Sequence, residues 1–445
     1  MSEPVESRPR SHRPSPQISR GGLTDKDDKV RAPTSQPEGA ATRLLAAATI
    51  SALGDGMRTS LLPLFATAQD GVSGAGVVLA AGYLPWLIFG LLAGAVADRV
   101  NRAKAMIVVD SVRAFAMTAF AVSLVAGTPP LAVTALLAFA LGSAETLFDN
   151  AAVALLPNVA SADRLPSLNA RMYTAQTMGV SLIGPALGGL LYTFGPSIPM
   201  FLDAASFLLA AILVRPLLAH RSPSSDAGAQ VWAGVRHETV VGLSWLMRHR
   251  SMRALTVLYA VLGCVSGTLL AVLPTYAHDR LGLGGSGYGL LLSCFGLGTL
   301  SGGMTAGSTV RAFRAGRTLV VCAGTTTLVF VGLAFSSQLL EAALCMVLLG
   351  VVVATWTVVT VTLRQRLVPN GILGRVASAF RVSGLALTVV GASVAGPAVA
   401  YLGLKGTLEG AAFAVAACAL VSAPSVAPLS IDAQPDTGGL TTAEG

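Results

Sequence analysis

Apolar residues recur in runs of about 20 along almost the whole chain, separated by short and mostly basic polar clusters. About 20 apolar residues in a helix cross a hydrocarbon layer of ~30 Å. Twelve spans are expected, at residues 44–68, 74–97, 104–126, 131–155, 172–194, 198–218, 254–277, 284–306, 318–336, 339–361, 379–402 and 405–427. The pattern predicts an all-α polytopic membrane protein, since a helix satisfies its own backbone polar groups in lipid.

The basic residues between the spans orient them. Alternate connections carry Arg99, Arg102, Lys104, Arg164, Arg171, Arg215, Arg221, Arg236, Arg248, Arg250, Arg253, Arg311, Arg314, Arg317, Arg364, Arg366 and Arg375, whereas the opposite set holds only Arg280 and Lys405. Basic loops remain in the cytoplasm, so a multi-pass protein of the cell membrane with both termini cytoplasmic is expected. Residues 1–42 are rich in Pro, Ser, Arg, Asp and Lys and have no apolar core; they read as a disordered tail rather than a signal peptide, and 429–445 as a second tail.

The longest internal connection separates a six-span unit at 43–219 from another at 254–428. Within this 220–253 linker, Val231 to Arg250 mixes Trp232, Val235, Leu243 and Leu246 with arginines, as in a helix lying on the inner membrane surface. It reads as a tether or a regulatory segment. The halves repeat: Pro157-Asn158 recurs as Pro369-Asn370, and Gly184-Pro185-Ala186 as Gly396-Pro397-Ala398, both 212 positions later. The same offset links Gly90 to Gly302, Arg99 to Arg311, Arg102 to Arg314 and Gly179 to Gly391. Two parallel six-helix repeats place a substrate path between the halves.

Composition removes several other classes. The chain is 53% hydrophobic and 12% charged, against about 25% charged in soluble domains. Its net charge of +8 is scattered between spans, not gathered into a nucleic-acid-binding surface. The five cysteines lie inside predicted spans and read as small hydrophobes. No metal site or cofactor is expected, and there is no Gly-x-x-x-x-Gly-Lys-Ser/Thr stretch for ATP.

Charges inside the spans are the candidate chemistry, because each costs ~2.5–3.5 kcal/mol on insertion scales unless paired or facing a cavity. Asp55 and Arg58 lie one turn apart in the first span, Asp110 and Arg113 in the third, and Glu145 and Asp149 in the fourth. Asp55 reads either as half of a neutral pair or as a proton carrier. Arg113 is expected to clamp Glu145 or Asp149; an unpaired Glu145 would be the better proton carrier, with Asp149 a further candidate. Asp203, nearer the outer side, reads as an anchor. Trp86, Tyr173, Phe295, Met346 and Trp356 are either pocket or packing residues.

The connection Gly94-Ala95-Val96-Ala97-Asp98-Arg99-Val100-Asn101-Arg102-Ala103-Lys104 resembles the signature between the second and third spans of the major facilitator superfamily. Leu53-Gly54-Asp55-Gly56, Asp110-Ser111-Val112-Arg113, Glu145-Thr146-Leu147-Phe148-Asp149 and Leu363-Arg364-Gln365-Arg366-Leu367-Val368-Pro369 are similar to its drug:proton antiporter branch, in particular the macrolide- and siderophore-exporter-like group. The resemblance covers about Arg43 to Ala427. Asn101 stands in place of the usual second glycine.

The resemblance implies that Asp98, with Arg99, Arg102 and Lys104, latches the cytoplasmic side against the inner end of the eleventh span, about Arg375 to Arg381. Gly184-Pro185-Ala186-Leu187-Gly188-Gly189 is similar to the antiporter motif, with Val180 where that motif has glycine and Gly179 one place early. It reads as a coupling hinge or as a packing face. The leading expectation is a monomeric secondary transporter that exports a small, moderately apolar molecule by alternating access in exchange for protons. The alternatives are an importer or dedicated metabolite permease of the same fold and, more remotely, a membrane-embedded lipid-modifying enzyme, for which Glu145 and Asp149 alone supply too few acids.

Overall fold

A computed structural model describes residues 37–97, 101–219, 241–312 and 314–430. The described residues hold no strand. Their helices are α1 (Pro37–Ala97), α2 (Arg102–Ala126), α3 (Leu131–Val159), α4 (Leu165–Thr177), α5 (Gly184–Tyr192), α6 (Ser197–Val214), α7 (241–248), α8 (Arg250–Thr275), α9 (Gly285–Ala312), α10 (Ala315–Phe335), α11 (Leu339–Leu367) and α12 (Leu373–Val426). A π-helical turn at Met178–Ile183 joins α4 to α5, and another at Tyr276–Arg280 extends α8.

Among these residues, nine helical segments are long and apolar enough to cross a membrane. The expected spans fall on the described helices, with 172–194 divided among α4, the π-helical turn and α5, and 198–218 and 254–277 running beyond the ends of α6 and α8. The two longest, α1 and α12, are broken at Asp70–Gly71 and at Gly403. All four positive-φ glycines sit at such reversals: Gly71 and Gly195 in the first half, Gly282 and Gly403 in the second. Each stands at a connection on the face opposite the arginine-rich one, because only glycine enters this region without a Cβ clash. The side chain of Gln69 ties the first of these turns to Pro129 O, between α2 and α3, at 3.2 Å.

Each half has its own apolar core. Leu44, Met106, Phe148 and Leu155 lead one cluster of the first half, and Leu61, Met117, Leu141 and Phe207 another. Leu255, Leu291, Phe330 and Trp356 belong to the core of the second. Only residues 241–250 of the expected linker helix are described: Leu246 is buried in the second-half core, and Gly242 packs against the backbone of Arg375. The end of the linker is thus docked to protein.

The halves touch through small residues on the face opposite the arginines. Val72 is 7% exposed and buried in the second-half core. Gly76 abuts the carbonyl of Ala392, Gly396 abuts Ser73, and Gly189 abuts Gly285 and Gly289. Gly296 rests on the carbonyl of Ser181, and Ser293 Oγ donates to Leu182 O at 2.6 Å. Within lipid, helices hold together by such close packing and interhelical hydrogen bonds rather than by apolar burial. Further along α9 toward the basic face the seam parts: Gly303 looks into open space and Met304 is 87% exposed.

Candidate functional site

Five of the intramembrane charges of the first half form one chain across three helices. Glu145 on α3 accepts from Arg58 on α1 at 2.5 Å, and Arg58 also reaches Asp55 at 3.2 Å. Asp55 is held in turn by Arg113 on α2, which bonds Asp110 at 3.3 Å and Ser51 at 3.3 Å. α1 and α2 each contribute an acid and a base three residues apart, which the helical period puts on one face. Arg113 is fully buried, its guanidinium 3.9 Å from the centroid of the Phe207 ring and 5.9 Å from that of Phe148.

The order acid, base, acid, base, acid leaves one carboxylate in excess when all five groups are ionised. The clamp expected between Arg113 and Glu145 or Asp149 is therefore formed differently: Arg113 takes Asp55 and Asp110, while Arg58 takes Glu145, which is not unpaired. Arg113 lies deep between α1, α2 and α6, whereas Arg58 faces α3.

Two cavities meet at Glu145, the most accessible member of the chain, with a side chain 19% exposed. The larger, about 560 Å³, lies between the halves. Tyr83, Trp86, Tyr288, Phe295 and Met346 line it, with Arg58 and Glu145 on one wall. The smaller, about 250 Å³, lies toward the basic face and has a mixed wall: Ser51, Asp55, Glu145, Asp149 and Gln176 border it beside Ala48, Phe148 and Val180. Asp149 accepts there from Gln176 at 3.3 Å.

Of the five aromatic and Met residues singled out for a pocket, Trp86, Phe295 and Met346 line the central cavity. Tyr173 is 67% exposed on α4, and Trp356 is 4% exposed in the second-half core; neither faces the cavity. Tyr83, one turn before Trp86, and Tyr288 were missed. The spacing 83–86 on one helix face was a usable signal for the first. Nothing local marked Tyr288, since its side of α9 is decided by the seam.

The Gly-Pro segment is squeezed between α1 and the second half. Cβ atoms on Gly184 and Gly188 would come 2.6 Å from Gly56 Cα and 2.7 Å from Ser60 Oγ, whereas Gly189 meets α9. Gly179, at the start of the π-helical turn, lies against Ala52. The bond pattern before Pro185 thus turns carbonyls toward the other half, and π-helical turns are frequent at functional positions.

Of the latch, Asp98 and Arg99 lie outside the described residues, and Gly94 is in the last turn of α1. Asn101, in place of the superfamily glycine, caps α2 by accepting from the Lys104 N–H at 3.0 Å. Arg102 donates to Ala154 O at 2.9 Å, fixing α2 to α3. Arg375 and Arg381 stand in the first turns of α12. Beside them Arg364 lies over the Phe380 ring at 4.1 Å, and that ring stacks on Tyr259 at 4.4 Å. Among the described residues no group of three or more His, Cys, Asp or Glu could hold a metal ion.

The model of the family described as Major Facilitator Superfamily matches residues 44–392, most of the chain. The chain belongs to the Major Facilitator Superfamily. It is therefore a multi-pass membrane protein of a transporter family. Its fold is similar to that of the nucleoside transporter NupG, with a TM-score of 0.72 at 11% identity over 87% of this chain and 98% of that one. A bacterial homolog of the human lysosomal transporter Spinster matches with a TM-score of 0.66 at 13% identity, covering 88% and 98% of the two chains. A peptide transporter POT in complex with alafosfalin matches with 0.65 at 15%, covering 90% and 97%. No curated protein matches the chain by sequence.

Proposed function

We propose that this superfamily member is a proton-coupled exporter of small, moderately apolar cations. The supporting observation is the Glu145 junction: an aromatic-walled cavity between the halves ends on a charge chain with one carboxylate in excess. A cation over Tyr or Trp rings gains ~0.5–2 kcal/mol, more as it is desolvated. A proton on Glu145 or a cationic substrate in the cavity each neutralises the excess. The two ligands therefore exclude one another, which is the thermodynamic content of antiport.

The arginine-rich face is read as cytoplasmic, so the sealed seam closes the outer side and the smaller cavity drains inward past Asp149. Substrate enters the central cavity from the inside, the proton leaves, and rocking one half against the other exposes the complex outward. There a proton displaces the substrate. Asp98 is the proposed inner latch; a carboxylate at a helix N-terminus gains ~0.3–1 kcal/mol from the helix dipole when exposed.

Nucleoside and peptide transporters share the fold. Such polar cargo needs many fixed donors and acceptors, whereas most of this cavity wall is apolar. In inside-out vesicles with an acid interior, the wild type is expected to accumulate a lipophilic cation such as tetraphenylphosphonium, and Glu145→Gln to abolish that accumulation at unchanged protein level. Undiminished accumulation by Glu145→Gln rejects the coupling, and substrate movement of opposite sign rejects export.

A further inference from the structure

Asp203 on α6 stands apart from the charge chain. It is 0% exposed, and neither carboxyl oxygen has a hydrogen-bond partner. The carboxyl and Ser206 Oγ crowd the bare face of Gly54, where a Cβ would overlap both. The charged groups close enough to act on it electrostatically are Asp55 and Arg58 from α1 and Asp110 and Arg113 from α2. Tyr192, at the end of α5, packs on the same cluster as Met200. Arg215 lies twelve residues further along, beyond the end of α6.

Neither guanidinium serves Asp203. Arg58 is committed to Asp55 and Glu145, and Arg113 to Asp55, Asp110 and Ser51. Asp203 lines neither cavity. An isolated buried carboxylate costs far more than the neutral acid, and such a group takes up a proton instead.

We infer that Asp203 is a proton-binding site separate from the excess charge at Glu145. While Arg58 holds Asp55 and Glu145 and Arg113 holds Asp55 and Asp110, Asp203 keeps its proton as a neutral acid. The proton site does not depend on the proton-coupled reading of Glu145.

Infrared spectroscopy of the purified protein at neutral pH tests it without substrate or gradient. The wild type is expected to show the carbonyl stretch of a buried carboxylic acid, which moves on labelling aspartate with ¹³C and not on labelling glutamate. The band should vanish in Asp203→Asn and persist in both Asp110→Asn and Glu145→Gln. Asparagine is a near isostere of the neutral acid, so Asp203→Asn should keep the wild-type melting temperature; if it does not fold, the isotope shift in the wild type carries the test. Absence of an aspartic acid band, or a band unchanged in Asp203→Asn, overturns the site. Loss of the band in Glu145→Gln overturns the independence of the site from Glu145.

Discussion

Arg113→Leu probes the charge chain at its deepest point. The native side chain holds Asp55 and Asp110 and lies on the ring of Phe207, all in fully buried surroundings. Leucine preserves apolar contact with Phe207 but leaves Asp110, itself 0% exposed, without a cation. Breaking one partner of a buried pair costs ~3–5 kcal/mol, and loss of the cation–ring contact adds ~0.5–2 kcal/mol. Asp55 escapes most of this penalty because Arg58 remains beside it at 3.2 Å.

The double variant Asp110→Leu, Arg113→Leu removes both charges. Apolar replacement of a whole buried pair is often neutral or stabilising, so the double variant should be more stable than the single by ~2–3 kcal/mol, near the upper end of measured couplings. Chemical denaturation in detergent micelles, followed by tryptophan fluorescence, measures both. Because Asp110 in the single variant can be relieved by taking up a proton, its deficit should also narrow as pH is lowered. Equal stability of single and double variants would refute the pairing.

Three further outcomes follow from the geometry. Gly289→Val places a side chain against the carbonyl of Pro185 and the backbone of Gly189; it should hold the outer side open, read as a longer distance between spin labels on the outer loops of the two halves. Trp86→Ala should change which cations are transported while leaving stability nearly unaltered. Trp356→Ala should do the reverse, costing ~3–5 kcal/mol as other buried aromatic truncations do with the substrate range kept, as ligand competition and denaturation assays would reveal.

The spans were legible because a bilayer imposes length and apolarity on every segment that crosses it, and the reversals at Gly71 and Gly403 fall where the apolar runs pause. The charged residues of the site were legible for the opposite reason, since each is costly in lipid. Their partners were not. Asp55 and Arg58 share a helix face, but whether Glu145 meets Arg58 or Arg113 depends on how α1, α2 and α3 are rotated against each other, and no local pattern fixes that.

The same limit explains the aromatic residues. Trp86 and Trp356 are equally apolar in sequence, and only packing turns one to the cavity and the other to the core. Asp203 reads as an anchor in the sequence, and the room its carboxyl takes against the bare face of Gly54 was not legible there. Asn101 departs from the superfamily signature, and its capping bond to Lys104 is the local use of that change.

The most direct test of competition for the excess charge at Glu145 is the proton count on substrate binding. Titrating tetraphenylphosphonium into the detergent-solubilised protein, by calorimetry in buffers of different ionisation enthalpy, gives that number. Protons should be released on binding by the wild type below neutral pH, affinity should weaken by up to about tenfold per pH unit as the medium is acidified, equivalent to ~1.4 kcal/mol, and Glu145→Gln should bind with no release. Tight binding by the wild type with no proton released at any pH would contradict the account.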